Sequence, residues 1–320
     1  MAGSPELPPP SALLPPPLFL AGPTAVGKSA LALALAEKIG GEIIAVDSMQ
    51  VYRGLDIGTA KPTAEERARV PHHLVDICDL SDWFDAAQFV RRARLALSEI
   101  QARGRTPVFC GGTGLYFAAW LNGLGEAPPA DHALRAELAA TPLDQLLAEL
   151  QVRDPAAFET IDRRNPRRVI RAVEVIRLTG RPFSGQRAAW DSASRIADGA
   201  ARFFCFTRGH DDLRRRIDAR VDDMFARGLV EETRRLLNCG LAANQNAMQA
   251  LGYRQVVEYL RGKRDLPQTV ALVKTRTRHF AKRQLTWFRR QARGRWIELR
   301  PDESVEQTLG KMVASARKVH

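Results

Sequence analysis

The chain has 320 residues, 45% of them hydrophobic and 26% charged, which excludes a disordered protein and suits one large folded unit or two to three smaller ones. No apolar run reaches the ~18 residues that span a bilayer, and the start, whose only charged side chain is Glu6 and which prolines interrupt, is not a secretory signal, so a cytoplasmic protein is expected. The formal net charge of +12 points to an acidic partner, while Cys78, Cys110, Cys205 and Cys239 lie far apart, without a CxxC pair or histidines at metal-ligand spacing, and predict reduced thiols and no zinc.

Seven of the first seventeen residues are proline, so 1–17 is expected to be an extended, disordered tail. Leu18 to Ala21 is a short apolar run, followed by a glycine loop and by Ser29 to Ile39, an alanine- and leucine-rich helix that Gly40 and Gly41 stop. Glu42 to Val46 reads as a second buried strand ending at Asp47. Phe84 to Ile100 reads as a helix with Phe89, Ala93, Leu97 and Ile100 on one face, and Pro107 to Cys110 as a third strand. This alternation predicts an α/β fold, a P-loop NTPase-like parallel sheet core whose ligands bind beyond the carboxyl ends of the strands.

After Gly125 the pattern becomes helical, over Ala133 to Leu150 and Asn165 to Leu178, so 126–200 is expected to be a helical insertion domain. Arg202 to Thr207 reads as a strand rejoining the sheet, and helices follow near 211–226, 229–238, 247–261 and 269–291. The core is therefore expected to comprise 18–125 and 201–320, the latter supplying a helical C-terminal region.

Three motifs carry chemistry. Gly22-Pro23-Thr24-Ala25-Val26-Gly27-Lys28-Ser29 matches GxxxxGK[ST] between a strand and a helix, where backbone N–H groups, the helix dipole and Lys28 converge on phosphate oxygens and the Ser29 hydroxyl can ligate Mg²⁺. Asp47 closes a buried strand and has two readings, a Walker-B-type metal ligand or a general base; Ser48, Met49, Gln50, Val51 and Tyr52 after it suit contact with a nucleobase. Gly111-Gly112-Thr113-Gly114-Leu115-Tyr116 brings a second flexible loop to the end of the third strand, its glycines permitting close approach.

Charge separates the two halves. Leu18 to Gly125 holds eleven Lys or Arg against eleven Asp or Glu. Between Lys274 and Arg295 there are nine basic residues and no acids, with His279, Phe280, Trp287 and Phe288 interleaved, a composition suited to phosphates and exposed bases.

Together, Gly22 to Ser29, the block Asp47-Ser-Met-Gln-Val-Tyr-Arg-Gly-Leu-Asp-Ile-Gly-Thr-Ala-Lys-Pro62 and Gly111 to Tyr116 resemble the tRNA dimethylallyltransferase family, also called tRNA isopentenyltransferases. The segments beginning Asp162-Arg-Arg-Asn-Pro, Gln249-Ala-Leu-Gly-Tyr-Arg254 and Lys282-Arg-Gln-Leu-Thr-Trp-Phe-Arg289 extend the resemblance to about residue 290 in family order, with no zinc-finger extension, which suggests the bacterial type. The resemblance implies transfer of a dimethylallyl group from dimethylallyl diphosphate to N6 of adenosine 37, 3′ to the anticodon of tRNA, with Mg²⁺ as cofactor; a monomer is expected, although the sequence does not fix the oligomeric state. It makes Asp47 the candidate base and Thr113 the residue that orients the adenine. Gly22 to Ser29 would hold the departing diphosphate, with Arg216 or Arg220 closing over it. It also places in tRNA contact Asp47, Ser48, Met49, Gln50, Thr113, Arg135, Arg167, Arg168, Val169, Ile170, Arg171, then Gln249, Ala250, Leu251, Gly252, Tyr253 and Arg254, and finally Lys282, Arg283, Gln284, Leu285, Thr286, Trp287, Phe288 and Arg289.

Other classes stay open on the sequence. A P-loop kinase or ATPase bound to RNA would account for the loop and the basic half, a structural RNA-binding protein for the basic half alone, and a prenyltransferase acting on free AMP for the motifs but not the basic helices.

Overall fold

Leu18-Phe-Leu-Ala21 forms strand β1 (Leu18–Ala21) at the centre of the sheet, which is why it carries no polar side chain: both of its edges are paired and both faces are covered. The computed structural model describes residues 14–186, 202–292 and 294–317. Most of the expected proline-rich tail, and residues 187–200 at the end of the expected insertion, lie outside them. The described residues fall into two units, one made of 14–117 with 202–317 and the other of 118–186. The helical unit thus begins inside a helix at Ala118, ahead of the composition change at 126.

In chain order the first unit continues with α1 (Lys28–Ile39), β2 (Gly41–Val46), α2 (Ala64–Arg69), β3 (His72–His73), α3 (Ala86–Ala102), β4 (Thr106–Gly111) and α4 (Gly114–Asn122), the last crossing into the second unit. That unit holds α5 (His132–Ala140), α6 (Leu143–Arg153), α7 (Pro155–Thr160), α8 (Pro166–Thr179) and α9 (Phe183–Gln186). The chain then returns with β5 (Phe203–Arg208), α10 (His210–Ala226), α11 (Leu229–Asn238), α12 (Tyr253–Leu260), α13 (Leu266–Gln291), β6 (Arg295–Leu299) and α14 (Val305–Arg317).

Among the described residues the sheet is six-stranded, in the order β3-β2-β4-β1-β5-β6, and every pairing is parallel. The expected α/β class and the return of the chain at β5 are both realised: β5 pairs with β1 with Phe19 opposite Phe203. One face of the sheet buries Leu31, Leu35 and Ala36 of α1 against Leu20, Val108 and Phe206. Phe19 stacks on Phe109 and Phe203 with ring centroids 5.0 and 5.7 Å apart.

Three expectations need correction. The helix read over 133–150 is two, because Thr141 and Pro142 interrupt it and Pro142 has no N–H to continue the ladder. The helix read over 247–261 is a short 3₁₀ turn, Ala247–Gln249, followed by α12, with Gly252 at φ 94° between them. Strands β3 and β6 went unread, the first being two residues long and the second an edge strand in which buried and exposed residues alternate. Among the described residues no helix is long and apolar enough to cross a membrane.

Candidate active site

Strands β1, β2 and β4 are neighbours and parallel, so the three loops that follow them emerge at one end of the sheet. The first, Gly22 to Gly27, turns into α1 through left-handed backbone at Ala25 (φ 62°) and Gly27 (φ 108°). Gly27 caps α1 with no side chain, leaving the first-turn N–H groups and the positive end of the helix dipole at Lys28 and Ser29. The loop carbonyls are tied down from outside. Arg208 donates from Nε to the Val26 carbonyl at 2.7 Å, and Arg216 from Nε to the Ala25 carbonyl at 2.9 Å. A loop held by its carbonyls keeps its amides for an anion.

Lys28 folds back over this loop, its Nζ donating to the Pro23 carbonyl at 3.2 Å. Burial lowers its pKa from the ordinary lysine value, and the charge of Arg220 acts in the same direction. Burial also lowers the pKa of Arg220, with Asp47 opposing. Two desolvated cations side by side are the arrangement that an anionic group relieves.

The second loop carries Asp47. Its Oδ1 accepts from the Met49 N–H at 2.8 Å and the Gln50 N–H at 3.2 Å, which fixes the carboxylate on its own backbone. The segment beyond folds back and is pinned by buried groups. Gln50 donates its amide to the Thr59 and Ala60 carbonyls, and Lys61, its side chain 1% exposed, binds the Tyr52 carbonyl, Asp56 and Asp76. Val51 and Tyr52 are fully buried, so they do not contact a base as the sequence suggested; they anchor the loop. From α11 and α12, Glu232 accepts the Ile57 N–H at 3.1 Å, and the Tyr253 hydroxyl accepts the Gly58 N–H at 3.1 Å while donating to Glu232.

The third loop follows β4, and Thr113 joins it to the second by donating its N–H to the Val46 carbonyl at 3.2 Å. Its glycines do permit close approach, but of protein: a Cβ on Gly112 would overlap the Gln284 amide and one on Gly114 the Trp287 indole.

Two cavities flank Lys28 and Ser29. One, of about 370 Å³, is bordered by Thr24, Asp47, Thr113 and Arg220 and walled by Met49, Met224, Leu251, Phe280 and Arg283. The other, of about 480 Å³, lies beside α1 with Ala32, Leu33, Ile43, Ala45 and Pro62 as apolar wall and Arg216 at its rim. Lys28, Ser29, Gln50, Ala60, Cys110 and Arg220 border both, so the phosphate loop sits where the two spaces meet. Of the two arginines singled out from α10, Arg220 reaches both spaces and Arg216 holds the loop from outside.

The remaining site residues expected from the sequence divide by helix face. In α13, Lys282, Arg283, Thr286 and Arg289 are exposed, Leu285 and Trp287 half-buried, and Gln284 and Phe288 buried. Within 249–254, Gln249 and Arg254 are exposed and Ala250 and Leu251 line the first cavity, whereas Gly252 and Tyr253 are buried. In the helical unit Arg167 and Arg168 are exposed, Ile170 is half-buried and Val169 belongs to the core with Leu138, Leu146 and Val173. Arg135 and Arg171 are engaged internally, at 2.9 and 2.6 Å from the fully buried carboxylate of Glu174. The side chains of Val169, Tyr253 and Phe288 pack inward and are core residues.

The sequence did not single out Arg208, Lys61, Glu232 or the cavity-lining Cys110 as site residues, whereas Phe280, expected among the aromatics of the basic segment, does line the first cavity. Arg208 was findable, since it ends a strand in front of a helix on the binding side of the sheet. Glu232 acts on Ile57 from 175 residues away, and the folding of Lys61 back onto Tyr52, Asp56 and Asp76 has no sequence signature.

The family model described as IPP transferase matches residues 50–291. The chain is 46% identical over 284 residues to tRNA dimethylallyltransferase 1 of Trichlorobacter lovleyi, covering 88% of this chain and 92% of that protein. It is 41% identical to the tRNA dimethylallyltransferase of Thermotoga petrophila, covering 92% and 97% respectively. Among solved structures, the tRNA isopentenylpyrophosphate transferase of Bacillus halodurans superposes with TM-score 0.66 at 38% identity, covering 95% of this chain and 97% of the other. A eukaryotic dimethylallyltransferase acting on tRNA superposes with TM-score 0.75 at 26% identity, covering 93% and 77%.

Proposed function

The chain belongs to the IPP transferase family, and on that premise we propose that it transfers a dimethylallyl group from dimethylallyl diphosphate to N6 of adenosine 37 of tRNA, giving N6-(dimethylallyl)adenosine and diphosphate. The observation that carries this reading is the meeting of a desolvated diphosphate cradle, Lys28 with Arg220, and a backbone-fixed carboxylate, Asp47, at the border of one cavity. A kinase or ATPase would share the phosphate cradle, so the product formed tells the two readings apart.

The adenine amino group is a poor nucleophile because its lone pair is delocalised into the ring, so its proton must leave as the N6–C1 bond forms. Asp47 takes that proton; with Oδ1 holding two N–H groups, Oδ2 is the free acceptor. The electron pair of the breaking C1–O bond goes to the diphosphate, which Lys28, Arg220 and the amides at the head of α1 hold. Thr113, tied to the strand that ends in Asp47, orients the adenine. The apolar wall of Ala32, Leu33, Ile43 and Ala45 suits the prenyl donor, and the opposite cavity, edged by Phe280 and Arg283, suits the flipped-out nucleoside.

Ser29, at the head of α1, offers one hydroxyl for Mg²⁺, and a diphosphate in the loop would offer the ion further oxygens. Such an ion would neutralise leaving-group charge. We place the activity in the cytoplasm, where its tRNA resides, and take the acting form as a monomer. The test mixes protein, Mg²⁺, dimethylallyl diphosphate and an anticodon stem-loop with adenosine at position 37, followed by mass spectrometry of the nucleosides. Prenylated adenosine is expected; ATP turnover without that product would overturn the reading.

A further inference from the structure

Gln284 lies on the inner face of a helix whose outer face is basic. It is 8% exposed, between Lys282 and Arg283 on one side and Thr286 on the other, all of them exposed. Both ends of its amide are used. Oε1 accepts the Thr24 N–H of the phosphate loop at 2.8 Å, and Nε2 donates to the Gly112 carbonyl at 2.9 Å. One side chain therefore joins two loops that β1 and β4 deliver separately.

The surrounding packing makes this a hinge-free junction. Trp287 packs on Gly114, and Phe288 meets Phe117 edge-on with centroids 5.9 Å apart, so α13 grips the third loop one turn beyond the amide as well. Toward its start, Arg278 binds Asp218 at 2.8 Å and Lys274 binds Asp222 at 2.7 Å, both on the helix that carries Arg220. Gly112 has no room for a side chain because the Gln284 amide occupies that place.

We infer that Gln284 is a positioning residue of the transfer: it sets the distance between the diphosphate cradle and the Thr113–Asp47 side of the cavity. This rests on the function proposed above, in which the leaving group is held by one loop and the attacking amine by the other two. In-line displacement is sensitive to that separation, and misplacement by about 1 Å costs on the order of 100-fold in rate. A role as a direct tRNA contact, which its place in the basic segment suggests, would instead show in tRNA affinity.

The experiment measures single-turnover transfer and stem-loop binding for the full chain and two variants. Gln284→Ala is expected to lower the rate at saturating substrates by roughly 10- to 100-fold, with stem-loop Kd within about twofold of the parent. Gln284→Glu keeps the acceptor for Thr24 but sets a carboxylate against the Gly112 carbonyl. Burial raises the pKa of such a carboxyl, and its protonated form restores the missing donor. The ratio of this variant's rate to the parent's should therefore rise as pH falls, a readout that loss of packing alone would not produce. A full rate for Gln284→Ala at saturating stem-loop, or a pH-independent ratio for Gln284→Glu, would overturn the inference. Absence of product from the unaltered chain would instead sink the proposed function, so the two failures are distinguishable.

Discussion

Asp47 and Cys110 both lie at the first cavity, and their surroundings fit them for opposite roles. The two N–H groups on Oδ1 would be kept by an amide in place of the carboxylate, so Asp47→Asn changes proton acceptance with little change of shape. Transfer should fall by about 10² to 10⁴ while stem-loop binding is retained. Near-normal turnover would show that Asp47 is not the base. Cys110, by contrast, is chemically silent. Burial pushes its thiol up to about 11, and that of Cys205 to about 12, so neither is ionised near neutrality. Alkylation of the native protein near pH 8 should accordingly mark Cys239, which is exposed, and leave transfer intact, as counted by intact-mass measurement. The folded thiols bind their protons more tightly than the unfolded chain does. The stability this represents is fully present below the ordinary thiol range and is lost as pH rises through about 11 and then about 12. Rapid inactivation with label on Cys110 would contradict the buried assignment.

At the scale of elements, what can be read from the sequence is local. Leu18 to Ala21, the glycine loop and the helix after it are encoded by adjacent residues, and so are the positions of Asp47 and Thr113 at the ends of strands. What escapes is bonding across sequence: Gln284 reaches its partners over separations of 260 and 172 residues, and Glu232 reaches Ile57 over 175. A segment matched by resemblance carries no helix phase, which is why exposed Lys282 and buried Phe288 fall in one block. The α11–α12 clamp on the second loop gives a test of such a remote bond. Tyr253→Phe would leave the Gly58 N–H and one side of Glu232 without a partner in a buried place. A loss of about 1–3 kcal/mol is expected, read as a lower urea midpoint at constant slope. An unchanged midpoint would mean that water replaces the hydroxyl.

The net charge of +12 is a property of the whole chain, and the structure separates its arginines into those turned to solvent and those turned inward. Arg135 and Arg171 both bind Glu174, which has no exposed surface and also accepts the Asp131 N–H at 2.9 Å. Removing Arg135 strips one cation from a buried carboxylate, and the expected effect is destabilisation by about 2 kcal/mol with little change in how tRNA binding responds to salt. Arg167 and Arg168 lie exposed at the start of α8, and replacing both by alanine should act the other way. Each phosphate that an arginine no longer neutralises lowers the slope of log K against log salt by about 0.7 to 0.9. The double variant should therefore bind tRNA more weakly at low salt, with a slope smaller by about 1.5. Titrations of stem-loop binding at several salt concentrations, paired with thermal melts of both variants, separate the two cases. If Arg135→Ala flattened the slope and the double variant did not, the tRNA surface of the helical unit would have to be moved from α8 to α5.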